Sequence, residues 1–349
     1  MNPYSDTSKR DLVLDAVNHR DTGRIPYVIF FQQTIAGRLA GYFNAESITD
    51  VADNSVEWIG NTLSNSRMEE LGILKDGEYS DEWGVRWKGV GETRGQVMHA
   101  PLENPTLDGY PFPNEIPAEI LTQMKHQAEI NQHRYRVAKL GALWEQATFL
   151  RGMEELLVDL LLNPGFVHDL LDSILAVLMT NLDTFHRELD LDCIWLSDDY
   201  GAQQNLIMSP SLWREFIRPR VKLLCDAVHE RGYHFVLHSD GAIGAVIPDI
   251  VDIGVDILNP LQSECVNVGW VKREYGSCLT IWGGYGSQRT LAFGSPGQVR
   301  REVYELCNEL GQGGGFILTP GLTIQNDVPL ENAVAFIEAA MECERGSER

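Results

Sequence analysis

Cations are scarce in this chain. Against 50 Asp and Glu there are 28 Lys and Arg, a formal net charge of -22 over 349 residues. A surface of that sign repels phosphate, which argues against nucleic acid and anionic membranes as partners and says nothing about fold. Cysteine is also sparse. Cys193, Cys225, Cys265, Cys278, Cys307 and Cys343 are scattered, with no CxxC pair. That excludes an evident zinc knuckle or disulfide framework and suits a reduced compartment. No uninterrupted apolar run reaches bilayer length, and the stretch Met1 to Asp11 has no signal-peptide core, so a soluble, cytoplasmic protein is expected. A GxGxxG opening a helix, a GxxxxGK[ST] loop and a GxSxG elbow are all missing, which argues against nucleotide binding and covalent hydrolase chemistry.

What is present is a regular alternation of short apolar runs and helical patterns. Hydrophobic residues make up 44% of the chain, enough to fill a large core. The stretch His234 to Gln262 shows the unit most plainly. Phe235 to Leu237 has the length of a buried strand, and Ile243, Val246, Ile247, Ile250 and Val251 then recur at helical spacing. Gly254 stands where a helix C-cap glycine belongs, and Val255 to Leu258 reads as the next strand. Further strands are expected at Tyr27 to Phe31, Val137 to Leu143, Cys193 to Leu196, Leu279 to Trp282 and Phe316 to Thr319. Helical patterns cover Ile35 to Phe43 and Ile48 to Leu63, and an eighth strand is expected between Met68 and Leu74. Such alternation predicts a parallel sheet, and eight units over this length predict one (β/α)8 TIM barrel domain spanning 1–349. Residues 78–102 break the pattern. Trp83, Val85 and Trp87 alternate ahead of a glycine-bearing turn, which predicts an inserted N-terminal β-hairpin covering an edge of the core, with a ligand lid as the lesser reading.

In a parallel barrel the polar groups after each strand collect on the C-terminal rim, where ligands bind. There the sequence offers Glu145, Asp198 with Asp199, His238 with Asp240, Asn259 with Gln262, and Trp282 with Tyr285. Strand parity puts Val236, His238 and Asp240 on one face and favours Asp199 over Asp198 as the inward group, since Ile194 and Leu196 share the face of Asp198. Two chemical readings follow. His238 and Asp240 could ligate zinc, although a catalytic zinc wants three protein ligands and only two are evident. Otherwise the same groups hydrogen-bond a polar substrate, with His238 as acid or base. The plain alternative is a structural histidine beside helix-capping aspartates, a role that Asp198 also fits.

At these residues the chain resembles the uroporphyrinogen decarboxylase superfamily, which holds the haem-pathway decarboxylase and the cobalamin-dependent methyltransferases. The resemblance runs through Arg24-Ile25-Pro26, Asp81 to Gly84, Leu150-Arg151-Gly152, Asp198 to Gly201 and His238 to Gly241. It continues through Ile253 to Pro260, Trp282-Gly283-Gly284, Gly313 to Gly315 and Pro329 to Asn332. It implies a barrel with its site at the C-terminal rim. His238, Asp240 and Asp199 are then the expected catalytic groups, with Glu145, Asp198, Gln262, Trp282, Tyr285 and Arg151 against substrate. Two departures matter. The methyltransferases hold zinc through a His-x-Cys pair and a later cysteine, whereas Asp240 stands in the place of the first cysteine and no thiol lies near Gly321 and Leu322. Of the decarboxylases' arginine-bearing segment after the first strand only Ala36-Gly37-Arg38 remains.

The resemblance therefore implies a corrinoid-dependent methyltransferase. It would move a methyl group between a small O-, N- or S-methyl compound and a corrinoid (cobalamin) or its carrier protein, with zinc at His238 and Asp240 as a further implied cofactor. A decarboxylase of a tetrapyrrole or other acid, drawing on Arg38, Arg151 and Arg289, is the alternative, followed by a non-catalytic small-molecule-binding barrel. A homodimer is implied by the same analogy.

Overall fold

A computed structural model describes residues 7–60, 77–90 and 93–346. Its strands are β1 (Val56–Ile59), β2 (Glu78–Ser80), β3 (Arg86–Val90), β4 (Thr93–His99), β5 (Tyr135–Gly141) and β6 (Cys193–Ser197). They continue with β7 (His234–His238), β8 (Ile257–Asn259), β9 (Thr280–Tyr285) and β10 (Phe316–Pro320). Seven of them pair in parallel in the order β1-β5-β6-β7-β8-β9-β10. The gap between the first and last is filled by residues 26–31. The Val28 N–H donates to Leu318 O and the Leu318 N–H to Pro26 O, both at 2.9 Å, while the Ser55 N–H donates to Tyr27 O at 3.0 Å on the other side. The ring therefore closes with eight staves, a (β/α)8 barrel.

The closing stave is irregular for a local reason. Pro26 has no N–H to give a ladder, and Asn54 stands in for a strand neighbour. Its Oδ1 accepts the Ile29 N–H at 2.8 Å, and its Nδ2 donates to Ile29 O at 3.0 Å.

Parity sorts the side chains into two layers. Val28, Val56, Val137, Cys193, Trp195, Val236, Ile257, Trp282 and Ile317 fill the barrel interior. Ile194, Leu196, Phe235, Leu237, Leu258, Ile281 and Leu318 belong to the larger core formed with the helices outside. Val13, Ala16 and Val17 of the helix Lys9–Val17 join the inner cluster and stopper the N-terminal end. That helix is anchored across the chain: Lys9 Nζ lies 2.8 and 2.7 Å from the two Glu344 carboxylate oxygens, and Ser55 Oγ donates to the same carboxylate at 2.8 Å.

The insertion holds one strand more than a hairpin. β2, β3 and β4 make an antiparallel sheet, with Trp83, Val85 and Trp87 all buried. Trp87 packs edge-on against Phe149 at 4.9 Å, and its Nε1 donates to Asp81 at 2.8 Å. This sheet covers the flank of the core and is not a lid.

Two sequence expectations change. Over its described residues, 48–60, the helical pattern from Ile48 to Leu63 yields a single 3-10 turn, Ile48–Asp50, and then β1. Four residues of β1 supply the second stave, so the strand sought between Met68 and Leu74 is not required, and that stretch lies outside the described residues. The helix that begins at Pro210 is interrupted by a π turn, Trp213–Ile217, which precedes Pro219, a residue without the N–H that a continuous helix would use. Among the described residues one helix, Pro164–Glu188, is long and apolar enough by composition to cross a bilayer. Its Val167, Leu170, Leu171, Ile174, Leu178 and Leu182 are buried, the stripe expected of an outer barrel helix.

Replacing Glu344 with Ala leaves Lys9 to Asp53 alone and takes the acceptor from the buried Ser55 hydroxyl. The expected loss is about 1–3 kcal/mol of unfolding free energy, because a buried hydroxyl is left without its hydrogen bond. Urea unfolding of the full chain, followed by far-ultraviolet circular dichroism, measures it; a loss below about 1 kcal/mol would mean the anchor is dispensable.

Candidate active site at the C-terminal rim

The loops after β6 and β7 are fastened to each other before any functional side chain is placed. The Asp198 N–H donates to His238 O at 2.9 Å, and the Ala242 N–H to Ala202 O at 2.8 Å. The Tyr200 N–H donates to Ser239 Oγ at 2.9 Å. The backbones touch at two glycines. A Cβ on Gly201 would lie 2.5 Å from Asp240 O, and one on Gly241 would lie 2.6 Å from the Gly201 carbonyl carbon, at a φ of +81° besides. Only glycine permits that approach, which accounts physically for the glycines closing Asp198 to Gly201 and His238 to Gly241.

Within this frame the orientation of His238 is determined. Asn259 Nδ2 donates to Trp282 O at 2.9 Å, so Asn259 Oδ1 faces His238 Nδ1 at 2.6 Å. An acceptor there makes Nδ1 the protonated nitrogen and leaves Nε2 for chemistry. Nε2 lies 3.7 Å from Asp199 Oδ1. The imidazole stacks on Trp195 with 5.1 Å between ring centres.

Asp240 completes the group. Its N–H donates to Asp199 Oδ1 at 2.9 Å, and its own Oδ1 is buried with no hydrogen-bond partner. Burial pushes its carboxyl above the ordinary aspartate range; His238 opposes the rise, and Asp199 adds to it. One ligand atom from each of Asp199, His238 and Asp240 lies within 4.8 Å of the others. Among the described residues, no Lys or Arg forms an ion pair with Asp199 or Asp240. The cluster is thus a nitrogen base beside two carboxylates without a countercharge. It can exchange a proton, attract a cation or bind a hard divalent metal, and the bare Asp240 oxygen fits the last use.

The remaining predicted residues divide. Gln262 is close, its Oε1 accepting the Gly241 N–H at 2.8 Å and bracing the loop that carries Asp240. Trp282 lies below the rim, packed edge-on against Trp195 at 5.3 Å and buried. Glu145 is half-buried at the start of the helix Trp144–Arg151. Three others are turned to structural work. Tyr285 points out of the barrel onto Phe336 at 4.8 Å, because it alternates with inward Trp282 three residues earlier. Arg151 donates to Asp159 at 2.7 Å and to the Leu102 and Glu103 carbonyls.

Asp198 is fully buried. It accepts the N–H groups of Leu143, Trp144 and Glu145 at 3.1, 3.1 and 2.8 Å, and the Tyr200 hydroxyl at 2.8 Å. It therefore caps, from another strand, a helix whose own cap position is Leu143. Burial outweighs these donors and pushes its carboxyl up to about 6.

Sequence reasoning passed over the aromatic floor. Trp58 and Trp195 meet edge-on at 4.6 Å, and Trp58 lies 6.0 Å from Trp282. Trp195 was findable, since it shares strand parity with Asp199; Trp58 was hidden by the helical misreading of its segment.

The adjacent aspartates should separate cleanly on mutation. Asp198→Ala is expected to cost about 2–4 kcal/mol of stability, from a lost cap and stranded N–H groups. Asp199→Ala should cost less than about 1 kcal/mol, as a partly exposed side chain that holds one backbone N–H where Asp198 holds three. Denaturant unfolding of both variants decides it, and equal losses would contradict the assignment.

A model of the uroporphyrinogen decarboxylase (URO-D) family matches residues 118–343. Uroporphyrinogen decarboxylase of Pseudomonas fluorescens is 24% identical over 269 residues, 74% of this chain and 71% of that protein. Methylcobamide:CoM methyltransferase MtaA of Methanosarcina barkeri is 24% identical over 269 residues, 72% of this chain and 76% of that protein. A solved methyltransferase from Methanosarcina mazei superposes with a TM-score of 0.69 at 17% sequence identity, covering 97% of this chain and 99% of its own; the two share a fold. With its barrel closed, its rim loops interlocked and most of its length matched by the family model, the chain belongs to the uroporphyrinogen decarboxylase family.

Proposed function

We propose that the protein is a methyltransferase that moves a methyl group between a small methylated compound and a corrinoid, free or on a carrier protein. The observation that carries this reading is the charge of the rim. His238 Nε2 faces two carboxylates that no described Arg or Lys neutralises, and Arg151, one of the three arginines a decarboxylase would draw on, is bound to Asp159. A decarboxylase acting on a polycarboxylate needs cationic or hydrogen-bonding donors for the substrate's acids and for the developing carbanion. Two carboxylates there with no Lys or Arg partner disfavour such a substrate. The MtaA relative and the Methanosarcina mazei neighbour support the same branch.

In this reaction the methyl carbon leaves its heteroatom without the bonding pair. The heteroatom keeps the pair and, where it would depart as an anion, needs a proton. His238 holds that proton at Nε2, with Nδ1 tied to Asn259 so that the ring keeps one orientation. Asp199 steadies the charged ring and fixes the Asp240 loop through the Asp240 N–H. The stacked Trp195 shields one face of the imidazole from water. A divalent metal, if one is bound, would be held by His238, Asp240 and Asp199 and would act as a Lewis acid on the heteroatom.

The reading is tested by mixing the protein with cob(I)alamin and panels of methoxylated, methylamine, quaternary methylammonium and methylthiol compounds while following the visible spectrum for methylcobalamin. With the methoxylated and methylthiol donors, whose leaving groups depart as anions, His238→Ala should slow its formation at least about 100-fold with little change in stability. Carbon dioxide release from uroporphyrinogen, with no methyl transfer from any donor, would replace this reading with the decarboxylase.

A further inference from the structure

The aromatic floor and the bare carboxylates are parts of one surface. Phe30 on the closing stave lies 6.0 Å from Trp58, Trp58 meets Trp195 edge-on at 4.6 Å, and Trp195 stacks under His238. His238 in turn faces Asp199. Packing alone accounts for the buried Trp195 and Trp282, but not for Phe30, which is 39% exposed at the open end, nor for the half-buried Trp58. Large aromatics left partly open beside unpaired carboxylates form the site that a cation with a greasy surface needs. Indole faces carry negative potential and attract a cation through its alkyl shell, and the carboxylates supply the countercharge.

We infer that the methyl donor is a quaternary ammonium compound, seated on Trp58 and Phe30 above the buried Trp195 and held against Asp199 and Asp240. This rests on the methyltransferase reading for its chemistry and on the cage alone for its binding. A cation without N–H groups suits the walls, because indole and phenyl faces accept no strong hydrogen bonds. It also suits the reaction. The C–N bond breaks with its pair left on nitrogen, and the methyl group bonds through the electron pair of the reduced corrinoid acceptor. The leaving group is a neutral tertiary amine, which takes a proton only afterwards. No proton has to move in the transition state.

Calorimetric titration of the full chain with choline, with its neutral carbon isostere 3,3-dimethylbutan-1-ol, and with glycine betaine tests the inference. Choline should bind about 10-fold or more tighter than the isostere, and glycine betaine more weakly than choline because its carboxylate meets Asp199 and Asp240. The choline advantage should shrink below about 3-fold in the double variant Asp199→Asn, Asp240→Asn, and choline affinity should fall about 10-fold in Trp58→Ala but recover in Trp58→Phe. Circular dichroism checks that each variant is folded, and the double aspartate variant stands alone if Trp58→Ala is not. Equal binding of choline and the isostere, or no choline binding at about 10 mM, a concentration covering even weak cages, overturns the inference. The two readings fail separately. Choline binding without methylcobalamin formation keeps the cage and removes the methyl transfer, whereas transfer from a neutral donor without choline binding does the reverse.

Discussion

A single buried carboxylate underlies the geometry of the rim. Asp198 gathers three backbone N–H groups at the start of the helix Trp144–Arg151 and the hydroxyl of Tyr200. It thereby binds the end of β6 to the loop after β5. With Asp198 committed outward, the next residue turns inward by strand parity, and Asp199 meets His238 and the Asp240 N–H. The glycines at 201 and 241 then let the two loops close backbone to backbone. One aspartate organises the scaffold and its neighbour faces His238. The division is decided by which side of the sheet each side chain occupies.

The electrostatic character of the site follows from where the arginines go. Arg151, Arg214, Arg220 and Arg300 all pair with acids on the helices or their connections. None of these pairs involves Asp199 or Asp240. Asp199 and Asp240 thus have no Arg or Lys partner among the described ion pairs, although Arg38 and Arg289 remain exposed, and the apolar surface beneath the two carboxylates is aromatic. In water those exposed carboxylates would be solvated and weakly interacting. Against indole and imidazole rings they act through a lower dielectric and are felt at longer range. That combination, more than any single residue, separates this rim from one built to grip a polycarboxylate.

Family membership constrains less than it suggests. A decarboxylase and a methyltransferase are equally similar to the chain, each at 24% identity. The shared scaffold carries a rim that different loops can equip differently, as barrels generally do. Discrimination has to come from the site, where Asp240 occupies the place of a thiol and an indole floor lies under the histidine.

Much of this was readable from residues alone. Alternating apolar runs and helical patterns specify a parallel barrel because each unit can bury its faces in only one way, and parity along Cys193 to Asp199 and Val236 to Asp240 put His238, Asp199 and Asp240 together. The sequence by itself determined which side chains share a face. What it could not determine was how far each face lies from its neighbours across the barrel. Val56–Ile59 is too short and its flanks too helical in pattern to announce a strand; only pairing with β5 makes it one. Tyr285 and Arg151 were expected at substrate, but the first falls on the outer face and the second has a buried acid within reach. The aromatic floor joins residues from distant positions, Phe30, Trp58, Trp195 and Trp282, and closing the ring of staves is what brings their rings into contact. Local periodicity is written in the chain, whereas a site assembled from different staves exists only after the barrel has closed.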